Sequence, residues 1–542
     1  MFCLTSHQSS MFEADKIFPD ALPEEDWCFT FRDRIYPLIN ENKFKHLYSE
    51  SEGRPNFSIK KMVSLLIFMG TEKLTWRGEE FQFPRRIDWL IATSTEVGKA
   101  KIDHTTLFKF YELLETDNTA VELFTELTDK FIELCGTSIK KQRTDSFFIH
   151  GWLKLLSRYG LLTETVRKFL LTLRKQKPGL YEKIKGQLSN DYINKELEIG
   201  EKDKKSAQRQ ISIVAKDLYR IKCAFENHKK IKHFQTFKIL CTVFAEQCEV
   251  KENRDNQEEP EIVIKEKPDT GSICSPHNTD VRCARKNNHL TTGDKAFVTE
   301  TCGPENKTQF ITDVNVITST VHDSQQQPKI QERLVKNKFK PEKQYGDSGF
   351  VNGKTILDSR EAGIELEGPC SGHSQTTEAY DPEKRRLDAG DFDITISSKT
   401  KELIVNSCPN KLKPLNQKLS TKRDKILVHF DPDICRSCLY LERCPIRTGK
   451  RVATFSVNHR DYAGAVRYHK YMEDQEYRKE CSIRTGIEAT VSELTRSHGV
   501  RKSRHRKQTK TNLQLIFAAI ACNVKRFIRH GKSYEYLEPE YT

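Results

Sequence analysis

Residues 295–353, KAFVTETCGPENKTQFITDVNVITSTVHDSQQQPKIQERLVKNKFKPEKQYGDSGFVNG, decide the fold class of this chain. Two runs rich in β-branched and aromatic residues, 295–302 and 308–317, predict strands, and the Cys-Gly-Pro between them predicts a turn. A helix is predicted over 325–336, followed by a strand and a Gly-rich loop over 343–353. This alternation of strands and helices predicts an α/β fold whose sheet is covered by helices.

Two carboxylates fall at the ends of predicted strands, and a third falls on a predicted helix. Asp347 ends the strand in KQYGDSG, and Asp145 ends a strand predicted within SIKKQRTDSFFIH. Glu488 lies at the edge of an apolar helical stripe, from which it can reach over the end of a sheet. Carboxylates gathered in this way suit Mg²⁺ or Mn²⁺, and two such ions can support phosphoryl transfer. Each of the three also fits a solvated position or a helix cap.

Four cysteines form the second candidate site. CRSCLYLERC has a C-x2-C pair and a third cysteine, and NSCPNK supplies a fourth upstream. Four thiolates are the ligand set of a structural Zn²⁺ site, and they also fit an iron–sulfur cluster. The alternative is a group of reduced, partly buried thiols in a small β-rich region. The residues are Cys408, Cys435, Cys438 and Cys444.

A basic segment, RSHGVRKSRHRKQTK at 496–510, is the third candidate site. It carries seven Lys and Arg residues and no acidic residue. Such a run needs solvent or a polyanion to reduce its self-repulsion, and a nucleic-acid backbone neutralises it with release of counterions. A solvated face is the alternative. We expect DNA contacts from Arg496, Arg501, Lys502, Arg504, Arg506, Lys507 and Lys510, with Arg484 and His498 as further phosphate contacts.

Helical patterns dominate the region before these sites. Helices predicted at 58–70, 76–83 and 104–114 fit either a helix-turn-helix-like DNA-binding unit or a plain helical bundle. The segment 151–173 and the Lys/Glu-rich segment 178–250 also predict helices. A charged, Pro-bearing stretch at 253–270 predicts a linker. Further strands are predicted at 392–396, 403–405, 425–430 and 451–457, and long helices at 461–498 and 511–530.

Composition narrows the class of protein. The chain has 542 residues and a formal net charge of +14, with 36% hydrophobic and 31% charged residues. The longest apolar runs are too short to span a membrane, so we expect no membrane partner. The 16 cysteines are scattered over the chain, which argues against a disulfide framework. We expect a cytoplasmic protein of prokaryotic type, and the positive charge favours a polyanionic partner.

In several ordered motifs the sequence resembles the bacterial insertion-sequence transposases with an Asp-Asp-Glu triad, and is most similar to the eleven-eighty-two branch. The motifs include RTDSFFIHGWLKLLSRYGLL, GDKAFVTETC, ITDVNVITSTVHD, YGDSGFVNGKTILDSREAGIELEGP, CRSCLYLERCPI and RTGIEATVSELTRSHGVRKSRHRKQTKTNLQ. GRPNFSIKKMVSLLIFMG and IDHTTLFKF resemble the same family's helical DNA-binding domain. The resemblance covers nearly the whole chain.

The resemblance implies a ribonuclease-H-like mixed sheet with helical and β insertions, preceded by an all-α helix-turn-helix-like domain. It assigns the triad to Asp145, Asp347 and Glu488, with Mg²⁺ or Mn²⁺ as cofactor. It also implies binding of double-stranded DNA at terminal inverted repeats, hydrolysis and strand transfer, and a homo-oligomer located on the nucleoid when bound to DNA. The expected organisation is a DNA-binding domain at 1–137, catalytic core at 138–174, helical insertion at 175–250, charged linker at 251–274, core at 275–369, β-rich cysteine-bearing insertion at 370–458, and core helices at 459–542.

Two other functions fit the same residues. One is a catalytically inactive relative that binds DNA through its N-terminal helices and the basic segment. The other is a metal-stapled nucleic-acid adaptor in which the four cysteines are the main feature. DNA cleavage in Mg²⁺ separates the first alternative from an active transposase, and metal analysis tests the second.

Overall fold

The computed structural model describes residues 1–5, 10–115, 117–151, 157–194, 204–251, 260–266, 271–279, 282–286, 289–372, 380–397, 402–420 and 424–535. Half of the predicted linker at 251–274 lies outside the described residues. So do residues 152–156 of the helix predicted at 151–173.

A set of helices precedes the main sheet and confirms the helices predicted in this region. The side chains of Ser58, Thr75 and Asp103 each accept a hydrogen bond from a backbone N–H in the first turn of the helix that follows, which fixes three of the helix starts. The helices are α1 (Ala14–Ile17), α2 (Trp27–Thr30), α3 (Ile59–Glu72), α4 (Trp76–Gln82), α5 (Ile87–Ala92), α6 (His104–Leu113) and α7 (Thr119–Cys135).

After β1 (Lys141–His150), the chain forms a helical cluster with its own apolar core, which we call the insertion cluster. It begins at Arg158, earlier than the boundary expected at 175, because the apolar face of its first helix belongs to this core. Residues 261–264 of the predicted linker instead form a strand, β3, which pairs antiparallel with β2 (Cys248–Lys251) in the cluster. Its elements are α8 (Arg158–Gln176), α9 (Pro178–Lys185), α10 (Lys204–Phe225), α11 (Gln235–Gln247), β2 (Cys248–Lys251) and β3 (Glu261–Ile264).

The segment that decided the fold class forms the expected mixed sheet. β1 is central: it pairs antiparallel with β5 on one side and parallel with β7 on the other, and the six-stranded order is β4-β5-β1-β7-β8, with β6 also on β5. The elements are β4 (Arg282–Lys286), β5 (His289–Thr301), β6 (Ile311–Thr318), α12 (Asp323–Lys336), β7 (Lys343–Tyr345), α13 (Gly353–Glu361) and β8 (Glu365–Glu367).

A β-rich region follows, and then the C-terminal helices. The predicted helix at 461–498 is wrong as one element, because the chain turns at Asp474, whose carboxylate caps a new helix. The elements are β9 (Asp393–Ile396), β10 (Leu403–Ser407), β11 (Asn416–Ser420), β12 (Lys425–Phe430), α14 (Pro432–Arg436), β13 (Arg447–Thr448), β14 (Ala453–Val457), α15 (His459–Glu473), α16 (Gln475–Cys481), α17 (Ile487–Ser492) and α18 (Gln508–Glu535).

The N-terminal helices share one hydrophobic core with the main sheet. This shared core joins side chains of α3 and α7 to α18 and to one face of β1, β5 and β6. Phe131 of α7 stacks on Phe527 of α18 at a ring distance of 4.6 Å. The close approach of α3 to α18 needs a small residue at Gly70, because a Cβ there would lie 3.3 Å from the carbonyl oxygen of Phe517. The helices before residue 137 therefore do not form a core of their own.

The other face of the sheet is covered by α12 and α13, with a smaller core around Phe297, Ile330 and Phe350. Among the described residues, no helix is both long and apolar enough to cross a bilayer.

Candidate active site

Asp145 lies in the middle of β1. The prediction that it ends a strand is wrong, because Phe147 and Ile149 alternate into the shared core after it and the strand continues to His150. The N–H of Ser146 donates to Asp145 Oδ1 at 2.7 Å. The carboxylate therefore lies on the central strand of the sheet, with 19% of its side chain exposed.

Asp347 lies in the turn just after the neighbouring parallel strand, β7, and close to Asp145. Arg143 of β1 pairs with Tyr345 of β7, and each aspartate follows its member of that pair by two residues. β7 ends at Tyr345, and the turn is fixed by the N–H of Gly349, which donates to Asp347 Oδ1 at 2.8 Å. The parallel pairing thus brings two of the three predicted carboxylates together.

Asp323, which the sequence analysis missed, adds a third carboxylate to this place. It is the first residue of α12, and its Oδ1 accepts from Lys295 Nζ at 2.8 Å. Oδ2 of Asp323 and Oδ1 of Asp347 both lie 3.0 Å from the position that a Cβ on Gly349 would occupy. The sequence does place an acidic residue between a predicted strand and a predicted helix at this point. The same pattern is expected of an acidic residue that only stabilises the first turn of a helix, so it did not indicate a site.

A buried network of amide side chains holds these elements in register. Gln327 and Gln331 of α12 both donate to Oε1 of Gln344 on β7, at 2.6 and 2.9 Å, and Gln344 donates to Thr144 of β1 at 2.7 Å. Because buried amides without partners are costly, this network fixes α12 against the two strands. It therefore fixes Asp323 relative to Asp145 and Asp347.

The charges around Asp145 favour its protonated form. Burial, with the neighbouring Asp347 and Asp323 carboxylates, raises the pKa of Asp145 to about 6, although the Ser146 N–H and the Arg484 guanidinium oppose the rise. Carboxylates that repel one another in a partly buried site are a suitable donor set for a divalent cation, which would remove the repulsion. The side chains of Asp145, Asp347 and Asp323 therefore fit a Mg²⁺ or Mn²⁺ site by their chemistry.

Glu488 approaches the sheet on α17, which packs on β1. In the 3₁₀ turn just before α17, Arg484 places its Nη1 3.9 Å from Asp145 Oδ2. Residues four apart on a helix lie on one face, so Glu488 projects from the same side as Arg484. Its side chain is exposed. Within the described residues, the carboxylate oxygens of Asp145 and Asp347 do not form a group within 4.8 Å of one another with either Glu488 or Asp323.

A buried ion-pair network fastens α17 to the sheet. Arg143 of β1 donates to Glu300 Oε1 at 2.7 Å and to the carbonyl oxygen of Ile483 at 2.9 Å, while Thr490 of α17 donates to Glu300 Oε2 at 2.5 Å. Gly486 is needed at the crossing, because a Cβ there would lie 2.0 Å from Arg143 Nη1. The network positions both Arg484 and Glu488.

The structure divides the basic segment into two groups. Its backbone pairs with the last residue of β1. His150 N donates to the carbonyl oxygen of Arg501 at 3.0 Å, and Ser503 N donates to that of His150 at 2.8 Å. Five of the seven cations have exposed side chains and remain candidates for phosphate contacts. They are Arg496, Arg501, Lys502, Arg506 and Lys507.

The other two cations, and His498, are less exposed and have structural partners. Lys507 remains exposed but also donates to Glu115 Oε1 at 3.1 Å. Arg504 donates to the carbonyl oxygen of Leu74, and Lys510 pairs with Glu112 at 2.6 Å. His498 is 3% exposed and its Nδ1 lies 3.2 Å from the carbonyl oxygen of Gly70. These contacts tie the segment to the N-terminal helices, so the expectation that Arg504, Lys510 and His498 face DNA is corrected.

The four cysteines also converge. Cys408, Cys435, Cys438 and Cys444 line one small cavity in the β-rich region.

The helix predicted at 58–70 is buried along most of its length as α3 and is not a free DNA-reading helix.

Comparison with known proteins gives two matches. Residues 407–528 match a family model described as a transposase DDE domain, and residues 18–113 match one described as a transposase domain, DUF772. Together they support an insertion-sequence transposase, and the DDE match supports an enzyme of the nuclease type with a ribonuclease-H-like fold and divalent metals. Glu488 lies within the first match, whereas Asp145 and Asp347 lie between the two. No curated protein and no solved structure matches the chain significantly.

Proposed function

We propose that the protein is a DNA transposase of the Asp-Asp-Glu type that binds the terminal inverted repeats of an insertion sequence, and that it belongs to the eleven-eighty-two branch. The observation that carries the proposal is the pairing of β1 with β7, because it brings Asp145 on β1 close to Asp347 in the turn after β7, with Arg484 beside Asp145. The sheet order, with an antiparallel β5 and parallel β7 and β8 around β1, agrees with a ribonuclease-H-like core.

In this proposal, Asp145 and Asp347 hold the metal ions and Glu488 completes their coordination. Asp323 is a further oxygen donor at this site, and it pairs with Lys295 at 2.8 Å. In the metal-bound state, the exposed side chain of Glu488 turns toward the aspartates. Bound Mg²⁺ would supply the Lewis acidity for attack on a phosphodiester and for departure of the 3′ oxygen.

The residues of the chain have separate tasks during the two steps. Arg484 pairs with the phosphate under attack, and Asp145, which is ionised above its pKa of about 6, binds a cation. Hydrolysis leaves a 3′ hydroxyl at the end of the element, and that hydroxyl then attacks a phosphodiester of the target DNA. The exposed cations of the basic segment contact the flanking backbone, with a salt dependence that reflects their number. Two ends must be held together, so we expect a homo-oligomer.

The test is cleavage of labelled DNA that carries the flanking repeats of the element, in Mg²⁺. Wild type should nick the ends, and Asp347→Asn should bind the same DNA but not cut it. Asp129→Asn is the matched control, because Asp129 is exposed on α7 and should keep full activity. If wild type binds but does not cut in Mg²⁺ or Mn²⁺, the inactive DNA-binding alternative replaces this proposal.

A second pair of variants tests Glu488 in the same assay. Glu488→Gln should abolish cutting, while Glu476→Gln, an exposed glutamate on the preceding helix α16, should not. Retained cleavage in Glu488→Gln would remove that residue from the site and leave the aspartates to be tested alone.

A further inference from the structure

The cysteine cavity, defined by Cys408, Cys435, Cys438 and Cys444, lies outside the proposed active site. Cys408 follows β10 in a turn where Lys411 N donates to its carbonyl oxygen at 2.8 Å and Lys411 has a φ of 60°. The other three cysteines lie on or just after the short helix α14, on the connection from β12 to β13. Two segments far apart in the β-rich region therefore meet at this cavity.

The connection that carries three of the cysteines has almost no core. From 431 to 448 only Cys435 and Ile446 are buried, and Leu439 is 96% exposed. Helix α14 has five residues and β13 has two. A segment with so little apolar burial does not hold one conformation through the hydrophobic effect alone. Its turns nevertheless direct the three thiols toward the fourth, which indicates an additional link between the two segments.

The space between the thiols fits one ion. The cavity has a volume of about 20 Å³, which suits a single ion. Apart from the sulfurs, its lining is mainly apolar, with Leu412, Ile434 and Ile446 among its residues. The four cysteines are free thiols. No three of their sulfur atoms lie within 4.8 Å of one another in this structure, so binding of an ion requires these side chains to move closer together.

We propose that Cys408, Cys435, Cys438 and Cys444 bind a single structural Zn²⁺ as four thiolates. Four thiolates with no open position are typical of a structural zinc site. Binding releases the thiol protons, and the charge of the cation offsets the mutual repulsion of the sulfurs. The ion would join the end of β10 to the connection after α14 and hold the exposed tip at Leu439 in place. This inference is independent of the proposed transposase activity.

The first experiment measures metal content and coordination in the full-length chain. Protein purified without chelators should contain about one Zn per chain. Exchange with Co²⁺ should give the strong visible absorption of a tetrahedral thiolate site. Asp347→Asn should contain the same amount of Zn, because its carboxylate is not part of the cavity. A chain that takes up no metal even when refolded with Zn²⁺, or a disulfide among the four cysteines, overturns the proposal.

Variants locate the site. The double variant Cys435→Ser and Cys438→Ser should lose the Zn and should become sensitive to proteolysis within 431–448. Cys370→Ser is the matched control, because Cys370 is a buried cysteine outside the cavity and should keep the metal. Retention of Zn in the double variant overturns the proposal. If that variant does not fold, chelation of wild type, followed by proteolysis within the same range, provides the decisive measurement. Iron with inorganic sulfide in wild type overturns the assignment to a single zinc ion.

Discussion

The N-terminal helices and the insertion cluster are both helical additions to the sheet, but they relate to it in different ways. The N-terminal helices complete the shared core with α18 and β1, whereas the insertion cluster buries its apolar residues against itself. The two ends of the insertion cluster lie side by side, since Arg158 Nη2 at its start donates to the carbonyl oxygen of Lys265 at its end, at 2.6 Å. Helical composition alone therefore does not show whether a segment is a removable module or part of the core.

Deleting each of the two helical regions should give the largest difference between them. Removal of residues 1–137 should abolish soluble expression, because it exposes the apolar faces of α18 and of the sheet. Replacement of residues 158–265 with a short Gly/Ser linker should leave a soluble chain with one cooperative unfolding transition. Solubility and thermal unfolding measure both effects. A soluble, cooperatively folded chain after the first deletion would show that the shared core is not needed.

Single aromatic substitutions should show whether the two regions unfold separately. Phe131→Ala in the shared core and Phe169→Ala in the insertion cluster should each cost about 3–5 kcal/mol of stability in the region that contains them. Hydrogen exchange should increase throughout the sheet in the Phe131 variant. In the Phe169 variant it should increase only in α8–α11. Equal increases in both regions would mean that the two cores unfold as one unit.

Two aspartates give opposite predictions. Asp217 of α10 is fully buried and accepts from Tyr192 at 2.7 Å and from the Ser189 N–H at 3.0 Å. Asp217→Asn should therefore destabilise the insertion cluster by about 1–3 kcal/mol. Asp145→Asn should instead stabilise the metal-free protein by roughly 2 kcal/mol at pH 7, because the wild-type carboxylate is ionised there among other acidic groups.

The raised pKa of Asp145 determines how its contribution to folding stability changes with pH. Its pKa is raised from 3.8 to about 6 in the folded chain by burial and by Asp347 and Asp323. The native state therefore binds the extra proton between these values, and its contribution to stability is lost as the pH rises through this window. Urea unfolding in EDTA should show the stabilising effect of Asp145→Asn at pH 7 and little effect near pH 3. A destabilised variant at pH 7 would contradict the raised pKa.

Glycine substitutions should have the smallest effects on stability. Gly486→Ala should shift α17 away from Arg143 and lower DNA cleavage by about 10²-fold, since a displacement near 1 Å is enough, while thermal stability changes little. Gly179→Ala in α9 is the control, because a Cβ there meets nothing within 4 Å. Unchanged cleavage in Gly486→Ala would show that the position of α17 tolerates the added methyl group.

The sequence predicted the elements of the sheet better than their packing. The strands and helix of 295–353 follow from alternation and propensity, which are local, and the structure confirms them. The continuation of β1 past Asp145 was missed, because a carboxylate in mid-strand is stable only when the sheet leaves it partly solvated. The shared core and the role of Asp323 depend on contacts between distant segments, which residue patterns do not encode. The convergence of the four cysteines, by contrast, was visible in their spacing.

The shared core has a consequence for the synthesis of the chain. α18 follows every other part of this core in the sequence, so the apolar surfaces of α3 and α7 stay uncovered on the ribosome until the last helix has emerged. A nascent chain in this state exposes surface that favours aggregation and binding by chaperones. Products that terminate before α18 should therefore be degraded rather than accumulate.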